Sequence, residues 1–225
     1  MSLKNRLVEF KRRLQVYNKP KIFGIGANKT GTTSLKAAMD DLGFIVGDQR
    51  KGELLLEDWA HRDFSNIIKL CRQGQFFQDV PFSLPNTYVI LDNTFPNSKF
   101  ILTVRDSAEQ WYNSITKFHG KKWGKDGQIP TKEDLVNADY IFKGRAWRAN
   151  RLIFDTPENQ PYQKDRLLSF YNNYNDNVKY YFRTRPDDLL VLNVGEKGAY
   201  KKLCDFLKVE SKRKEFPWKN KTINK

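Results

Sequence analysis

The chain has 225 residues, of which 39% are hydrophobic and 14% aromatic, so it is long and apolar enough to fold as one globular domain and is not a disordered polypeptide. Lysine and arginine outnumber aspartate and glutamate by 40 to 26, and the net charge of +14 predicts an anionic partner without selecting its class. Cys71 and Cys204 lie far apart along the sequence and predict two buried thiols rather than a disulfide, and the histidines show no zinc-binding spacing.

The first predicted element is a basic amphipathic helix within residues 1–19. Its apolar positions repeat at helical spacing and share one face: Leu3, Leu7, Phe10 and Leu14. We expect this face to pack against the domain, with loose attachment to a membrane as the alternative. The segment lacks the continuous apolar core of a signal peptide, and no run approaches the roughly 20 apolar residues of a membrane-spanning helix. The sequence therefore favours a cytoplasmic protein.

Short apolar runs and longer helical patterns alternate along the rest of the chain. Strands are predicted at 22–26, 44–47, 76–79, 99–104 and 188–194. Helices are predicted at 32–43, 60–73, 83–94, 107–118, 132–155, 164–184 and 197–208. Strands separated by helices predict an α/β fold with a central, mostly parallel sheet flanked by helices. Ligands of such sheets bind at the carboxyl ends of the strands.

The segment "GANKTG" at 26–31 joins the first strand to the next helix and has the spacing GxxxxG. Glycines permit positive φ and close approach of the backbone, and the helix directs its free N–H groups at the loop, so the segment predicts an anion site. A Walker motif would continue with lysine and then serine or threonine. Thr32 and Thr33 occupy those places and Lys29 lies inside the loop, which argues against a site for ATP or GTP.

The stretch "KTGTTSL" at 29–35 resembles the 5′-phosphosulfate loop of sulfotransferases that use 3′-phosphoadenosine 5′-phosphosulfate (PAPS). The resemblance implies a three-layer, P-loop-like fold and a lysine, Lys29, that contacts the 5′-phosphate and the leaving oxygen. It also implies that the loop and the first turn of the helix bind the donor: Asn28, Lys29, Thr30, Gly31, Thr32, Thr33 and Ser34.

A second match is "KFILTVRDSAEQWYNSI" at 99–115. Asp106 is predicted to cap the following helix, with Glu109 completing a capping box. In sulfotransferases an arginine at this strand end and a serine in the next helix hold the 3′-phosphate, and the resemblance assigns these roles to Arg105 and Ser114, with Asn113 as the alternative. Such a pair distinguishes PAPS from ATP.

The chain end also resembles this family, through "AYKKLCDFLKVE" at 199–210 and "EFPWKNKT" at 215–222. The resemblance runs in order from residue 21 to 222 and is nearest to bacterial and metazoan P-loop sulfotransferases with an "LTVRD" and "WY" signature. It implies a cover over the 3′-phosphate, for which a surface tail is the alternative. The residues concerned are Trp218, Lys219, Asn220 and Lys221.

Transfer of a sulfuryl group to a hydroxyl or amine requires a base. Asp79 in "FFQDVP" ends a predicted strand, so it should lie at the same sheet edge as Lys29, and the family carries an Asp-x-Pro there. A turn-forming aspartate is the alternative. His119 is the rival base, but it is predicted at a helix C-terminus in a structural role, and His61 is predicted at the surface.

Residues 119–163 are a predicted insertion that covers the acceptor site. The arginines in it recur at helical spacing and predict either a solvated face or a contact to an acidic acceptor such as a uronic or sulfated sugar: Arg145, Arg148 and Arg151. Trp123 and Trp147 either stack on the acceptor or belong to the core.

The sequence thus favours a single sulfotransferase domain over residues 1–225. It would move a sulfuryl group in line and without a metal from PAPS to a glycan or small molecule, leaving 3′-phosphoadenosine 5′-phosphate (PAP). A P-loop kinase using ATP and magnesium is the alternative. A nucleic-acid-binding protein would explain the charge but not the ordered loops.

Overall fold

The computed structural model describes residues 3–217, with side chains from residue 6 onward. The chain divides into two compact units. The first runs to Val104 and resumes at Phe182, and the second comprises Arg105–Tyr181. The predicted acceptor insertion, 119–163, lies within the second unit.

The first unit contains the parallel sheet and most of the helices that follow its strands. Its strands are β1 Ile22–Gly24, β2 Phe76–Gln78, β3 Lys99–Thr103 and, numbered in chain order, β6 Leu189–Leu192. Its helices are α1 Leu3–Gln15, α2 Thr32–Asp41, α3 Gln49–Glu53, α4 Leu56–Ala60, α5 Ser65–Cys71, α6 Thr87–Thr94 and α11 Ala199–Leu207. The second unit holds α7 Ala108–Trp123, a 3₁₀ turn Lys125–Gly127, α8 Lys132–Asn137, β4 Asp139–Tyr140, β5 Phe142–Lys143, α9 Arg145–Phe154 and α10 Lys164–Tyr181.

The four strands of the first unit pair in the order β2-β1-β3-β6, and every pair is parallel. This arrangement confirms the predicted α/β fold with a parallel sheet flanked by helices. Because all four strands run the same way, their carboxyl ends lie at one edge, and the segments that follow β1, β2 and β3 emerge there.

Side chains of the sheet alternate between two apolar cores. On one face Ile22, Phe76 and Ile101 are buried against α2 and α11. On the other face Phe23 is fully buried within 6.2 Å, centroid to centroid, of four other phenylalanine rings. Both faces are therefore covered, which explains why the strand sequences are continuously apolar rather than alternating. Cys71 and Cys204 are free and buried, as predicted.

Two predicted elements are wrong. The segment 44–47 is not a strand of the sheet and contributes only an isolated bridge from Val46 to Phe76. The predicted helix 132–155 is interrupted, because the antiparallel hairpin of β4 and β5 separates α8 from α9. Gly144, with φ of 81°, ends this hairpin in a conformation that glycine adopts without strain.

The helix α7 is longer than predicted and extends to Trp123, past His119 and Gly120. Glycine at 120 reflects close packing rather than a helix end, since a Cβ atom there would lie 2.5 Å from the carbonyl oxygen of Gly127. The placement of His119 at a helix C-terminus is therefore wrong.

The apolar face of α1 does not pack against the unit as expected, because Leu7, Phe10 and Leu14 are between 55% and 61% exposed. Across residues 3–217, no helix combines the length and the apolar character needed to cross a bilayer.

Candidate active site

The loop after β1 turns sharply before α2 begins at Thr32. Lys29 has a φ of 72° and Gly31 a φ of 103°, so two of its residues adopt the left-handed conformation. A side chain at 31 would also collide with Val194, since a Cβ atom would lie 2.2 Å from its Cγ2. Gly31 is the N-cap of α2 and offers no side-chain acceptor, which leaves the first N–H groups of that helix available to an anion.

The loop is held in place by the hydroxyl of Thr30, which is completely buried. This hydroxyl donates to the carbonyl oxygen of Ala27 at 2.6 Å and shares a hydrogen bond with the hydroxyl of Thr103, at the end of β3, also at 2.6 Å. A Cβ atom on Gly26 would lie 2.1 Å from that same Thr103 hydroxyl. The glycine at 26 therefore permits the loop backbone to lie directly against β3.

The other predicted donor ligands differ in their exposure. Asn28 and Thr33 are exposed, Lys29 is half-buried, and Thr32 and Ser34 are buried within the first turn of α2. Their roles, and that of Thr30, remain predictions. Lys219, Asn220 and Lys221, together with Trp218, lie outside the residues that the structure describes.

Asp79 follows β2 and is buried, with a φ of 60°. Its Oδ2 accepts hydrogen bonds from Gln49 Nε2 at 2.8 Å and from Gln78 Nε2 at 3.3 Å. Its Oδ1 has no partner of good hydrogen-bond geometry among residues 3–217, although the hydroxyl of Thr32 is near enough to favour the charged carboxylate. One oxygen of the carboxylate is thus fixed by amides and the other is not.

Burial is the main cause that raises the pKa of Asp79 to about 6, and the neighbouring charge of Glu53 raises it further. Thr32, Gln78 and Lys29 act in the opposite direction. Lys29 and Asp79 follow the adjacent strands β1 and β2, and the charge of Lys29 is the smallest of these influences on the carboxyl. A carboxylate with this pKa is mostly ionised at neutral pH and is a stronger base than an exposed aspartate.

Gln49 and Glu53 also lie at this site, although the sequence did not predict them as site residues. They lie one turn apart on α3, and Gln49 Nε2 also donates to Glu53 Oε1 at 3.3 Å. A single amide therefore bridges two buried carboxylates. The i, i+4 spacing was visible, but α3 was not predicted, so nothing indicated that these side chains face Asp79.

In the second unit, Arg105 follows β3 by two residues and is half-buried. Its backbone N–H donates to the hydroxyl of Tyr171 at 2.9 Å, and the Tyr171 ring stacks on Trp111 at 4.7 Å. Burial lowers the pKa of Arg105, which indicates that its cation has lost part of its hydration. On α7, Ser114 is half-buried whereas Asn113 is exposed.

The start of α7 differs from the predicted capping box. Ser107 is the N-cap and accepts from the N–H of Gln110 at 3.1 Å. Asp106 instead pairs with the side chain of Gln110, and Glu109 forms an ion pair with Lys164 at 2.6 Å. A serine with extended φ takes the capping position one residue later than predicted.

Aromatic and cationic side chains cluster around His119. Its Nδ1 lies 2.8 Å from the hydroxyl of Tyr162, and its ring lies 4.5 Å from Trp123. The Lys122 ammonium lies 3.5 Å from the centre of the Tyr140 ring. His119 is therefore part of a polar and aromatic cluster and does not cap a helix. His61 is exposed, as predicted, but caps the end of α4 rather than its start.

The arginines at 145, 148 and 151 do not form one solvated face. Arg145 is buried and lies 5.7 Å from the centre of the Tyr140 ring, whereas Arg148 is exposed. Arg151 donates to the carbonyl and hydroxyl oxygens of Thr156.

The fold is that of an α/β protein in which a glycine loop with a lysine, a helix N-terminus and a buried carboxylate lie at one edge of a parallel sheet. The family model described as "Sulfotransferase domain" matches residues 21–224, so the chain belongs to this family and its activity is sulfuryl transfer. No curated protein matches the chain.

Proposed function

We propose that the protein transfers the sulfuryl group of PAPS to a hydroxyl or amine of its acceptor. The observation that carries this proposal is the buried carboxylate of Asp79 after β2, at the same sheet edge as the loop that contains Lys29, in a chain of the sulfotransferase family. Together they supply the two charges that the reaction needs: a cation for the leaving phosphate and a base for the acceptor proton.

The loop between β1 and α2 suits the 5′-phosphate of the donor. The uncapped N–H groups of α2 supply donors and the positive end of the helix dipole. The half-buried Lys29 neutralises the charge that develops on the phosphate as the bond from sulfur to its bridging oxygen breaks. This role takes the place that magnesium has in phosphoryl transfer, so the reaction is proposed to proceed without a metal.

Asp79 accepts the proton of the attacking hydroxyl or amine while the new bond to sulfur forms. Gln49 and Gln78 hold Oδ2, so the proton goes to Oδ1, which has no such amide partner. Glu53 raises the pKa of Asp79 through its negative charge and thereby strengthens the base. His119 is the other candidate base, and the hydrogen-bonded position of its Nδ1 beside Tyr162 favours a structural role instead.

In the second unit we assign the 3′-phosphate to Arg105 and Ser114. The bond from Arg105 N–H to Tyr171 and the stack on Trp111 fix the backbone at this position. A partly dehydrated guanidinium gains more from an anion than an exposed one does. The half-buried position of Ser114 favours it over Asn113.

The acceptor is proposed to be a ring-containing and acidic molecule, such as a glycan. The cluster around His119 contains the rings of Trp123 and Tyr140, and the cation of Lys122 lies over one face of the Tyr140 ring. Sugars and aromatic rings stack on such faces, and an acidic group would pair with the lysine.

Calorimetric titration of the purified protein with PAP, and separately with ATP and magnesium, tests the nucleotide. Tight binding of PAP without metal and weak binding of ATP is the expected result, and transfer of labelled sulfate from PAPS to a panel of glycans would then identify the acceptor. A preference for ATP with magnesium would contradict the proposal and favour a kinase with a displaced loop lysine.

A further inference from the structure

The helix α1 directs its apolar side to solvent. Leu7, Phe10 and Leu14 are 55%, 61% and 61% exposed, and Tyr17, just beyond the helix, is 73% exposed. Spacings of three and four residues place Leu7, Phe10 and Leu14 along one stripe of the helix, and Tyr17 follows them in the turn after it. We call this row of Leu7, Phe10, Leu14 and Tyr17 the apolar stripe.

The same helix is anchored to its unit through its opposite side. Glu9 forms an ion pair with Lys51 at 2.9 Å, and Val16 is buried just after the last turn. Arg12 and Arg13 are half-buried. The usual orientation of a surface helix is thus reversed, since its polar side meets the protein and its apolar stripe meets water.

The charges of α1 are arranged around the stripe in a consistent way. The helix carries five basic residues and one acidic residue, and the acidic one is already paired with Lys51. At 3.6 residues per turn, the exposed Lys11 lies roughly a quarter turn from the stripe on one side, and the exposed Arg6 lies at a similar angle on the other. Cations therefore border the apolar stripe on both sides.

We propose that α1 is an interfacial helix that binds an anionic lipid surface. The apolar stripe would enter the boundary between head groups and acyl chains, while the exposed Arg6 and Lys11 pair with lipid phosphates and carboxylates. The net charge of +14 adds long-range attraction to the same surface. Pairing of two stripes from two copies would instead bring these bordering cations close together, which like-charge repulsion opposes. This inference does not depend on the proposed donor or acceptor.

Co-sedimentation of the full chain with vesicles tests the proposal. Binding is expected to phosphatidylcholine vesicles that contain about 30% phosphatidylserine but not to phosphatidylcholine alone, and it should weaken as salt is raised. Phe10→Asp should reduce the affinity about tenfold or more, because it removes an apolar anchor and adds a negative charge. Phe142→Asp is the matched control, since Phe142 is 49% exposed in the second unit, and it should bind like the parent.

Thermal denaturation of both variants checks that each remains folded. Equal binding by Phe10→Asp and the parent chain would overturn the proposal, as would equal binding to neutral and anionic vesicles. The proposal would also be overturned if the parent chain does not bind vesicles but forms a dimer in sedimentation experiments, and Phe10→Asp abolishes the dimer. A second copy of the chain would then cover the stripe.

Discussion

Replacement of Asp79 by asparagine is expected to give a protein that is more stable and catalytically impaired. The fold raises the pKa of this carboxyl from its ordinary value of 3.8 to about 6, chiefly by burial. A shift of about two pKa units means that the ionised carboxylate lowers the free energy of unfolding by about 3 kcal/mol. Asparagine matches aspartate in size and tolerates a positive φ, so the change removes the charge with little strain.

The sign of the effect fixes its dependence on pH. Since the folded state holds the proton of Asp79 more tightly than the unfolded state, the parent protein loses stability as pH rises from about 4 to about 6. Asp79→Asn has no carboxyl to ionise at this position, so its stability should not fall in this way over the same pH range. The two proteins should therefore have similar stability below about pH 4, and their difference should reach its full size above about pH 6.

Thermal denaturation between pH 4 and pH 8 measures the difference. For a chain of this length about 3 kcal/mol corresponds to a rise in Tm of roughly 6–12 °C, which is an upper value because asparagine cannot accept at both oxygens. Asp187→Asn, at an exposed position of the same unit, should show no such rise. A difference that does not vary with pH, or a destabilised variant at pH 8, would refute the reasoning. Unchanged turnover would remove Asp79 from catalysis and return His119 as the base.

Three further substitutions test other parts of the site. Lys29→Ala should lower kcat by about 10²–10³ with a modest loss of PAP binding, and full activity in the transfer assay would exclude this lysine from the reaction. Arg105→Ala should weaken the binding of PAP roughly 10–100-fold while leaving the binding of 5′-AMP almost unchanged. Equal losses of affinity for the two nucleotides in calorimetry would place the 3′-phosphate elsewhere. Gly31→Ala should destabilise the protein by about 1–3 kcal/mol in urea unfolding, since it combines a φ of 103° with a collision at Val194. Gly43→Ala, with a φ of 81° and no atom within 4 Å of an added Cβ, is its control and should cost less.

The sheet and its loop were predictable because strong local signals agree with tertiary packing. The run before Gly26 is continuously apolar, as a strand buried on both faces must be, and the following loop carries its own glycines and lysine. The position of Asp79 at the sheet edge was predictable for a related reason, since residues that follow neighbouring parallel strands meet at one edge; its role in catalysis stays a prediction.

The features that the sequence did not predict depend on contacts between residues that are distant in the chain. Gln49 becomes part of the site only because α3 lies against the segment after β2, and no local pattern records that contact. Gly120 looks like a helix end in sequence, yet the helix continues because the backbone at Gly127 and Gln128 approaches it. The exposure of Phe10 was missed for the opposite reason, since a periodic apolar face identifies an amphipathic helix but not what the face contacts.

The hydroxyl bridge between Thr30 and Thr103 means that the fold, rather than the bound nucleotide, sets the shape of the loop. Many phosphate-binding loops become ordered as the ligand arrives, and the entropy lost in ordering lowers the affinity. Here one hydrogen bond of 2.6 Å closes the loop on itself at Ala27, and a second of 2.6 Å holds it against the central strand β3 at Thr103 in advance. The Thr30 N–H, which donates to the carbonyl oxygen of Ala27 at 3.3 Å, should then exchange slowly even without nucleotide. Thr30→Val keeps the shape of the side chain but removes both hydrogen bonds, so the loop should become ordered only when the nucleotide binds. The binding enthalpy should then be more favourable, but the entropy lost in ordering should lower the affinity.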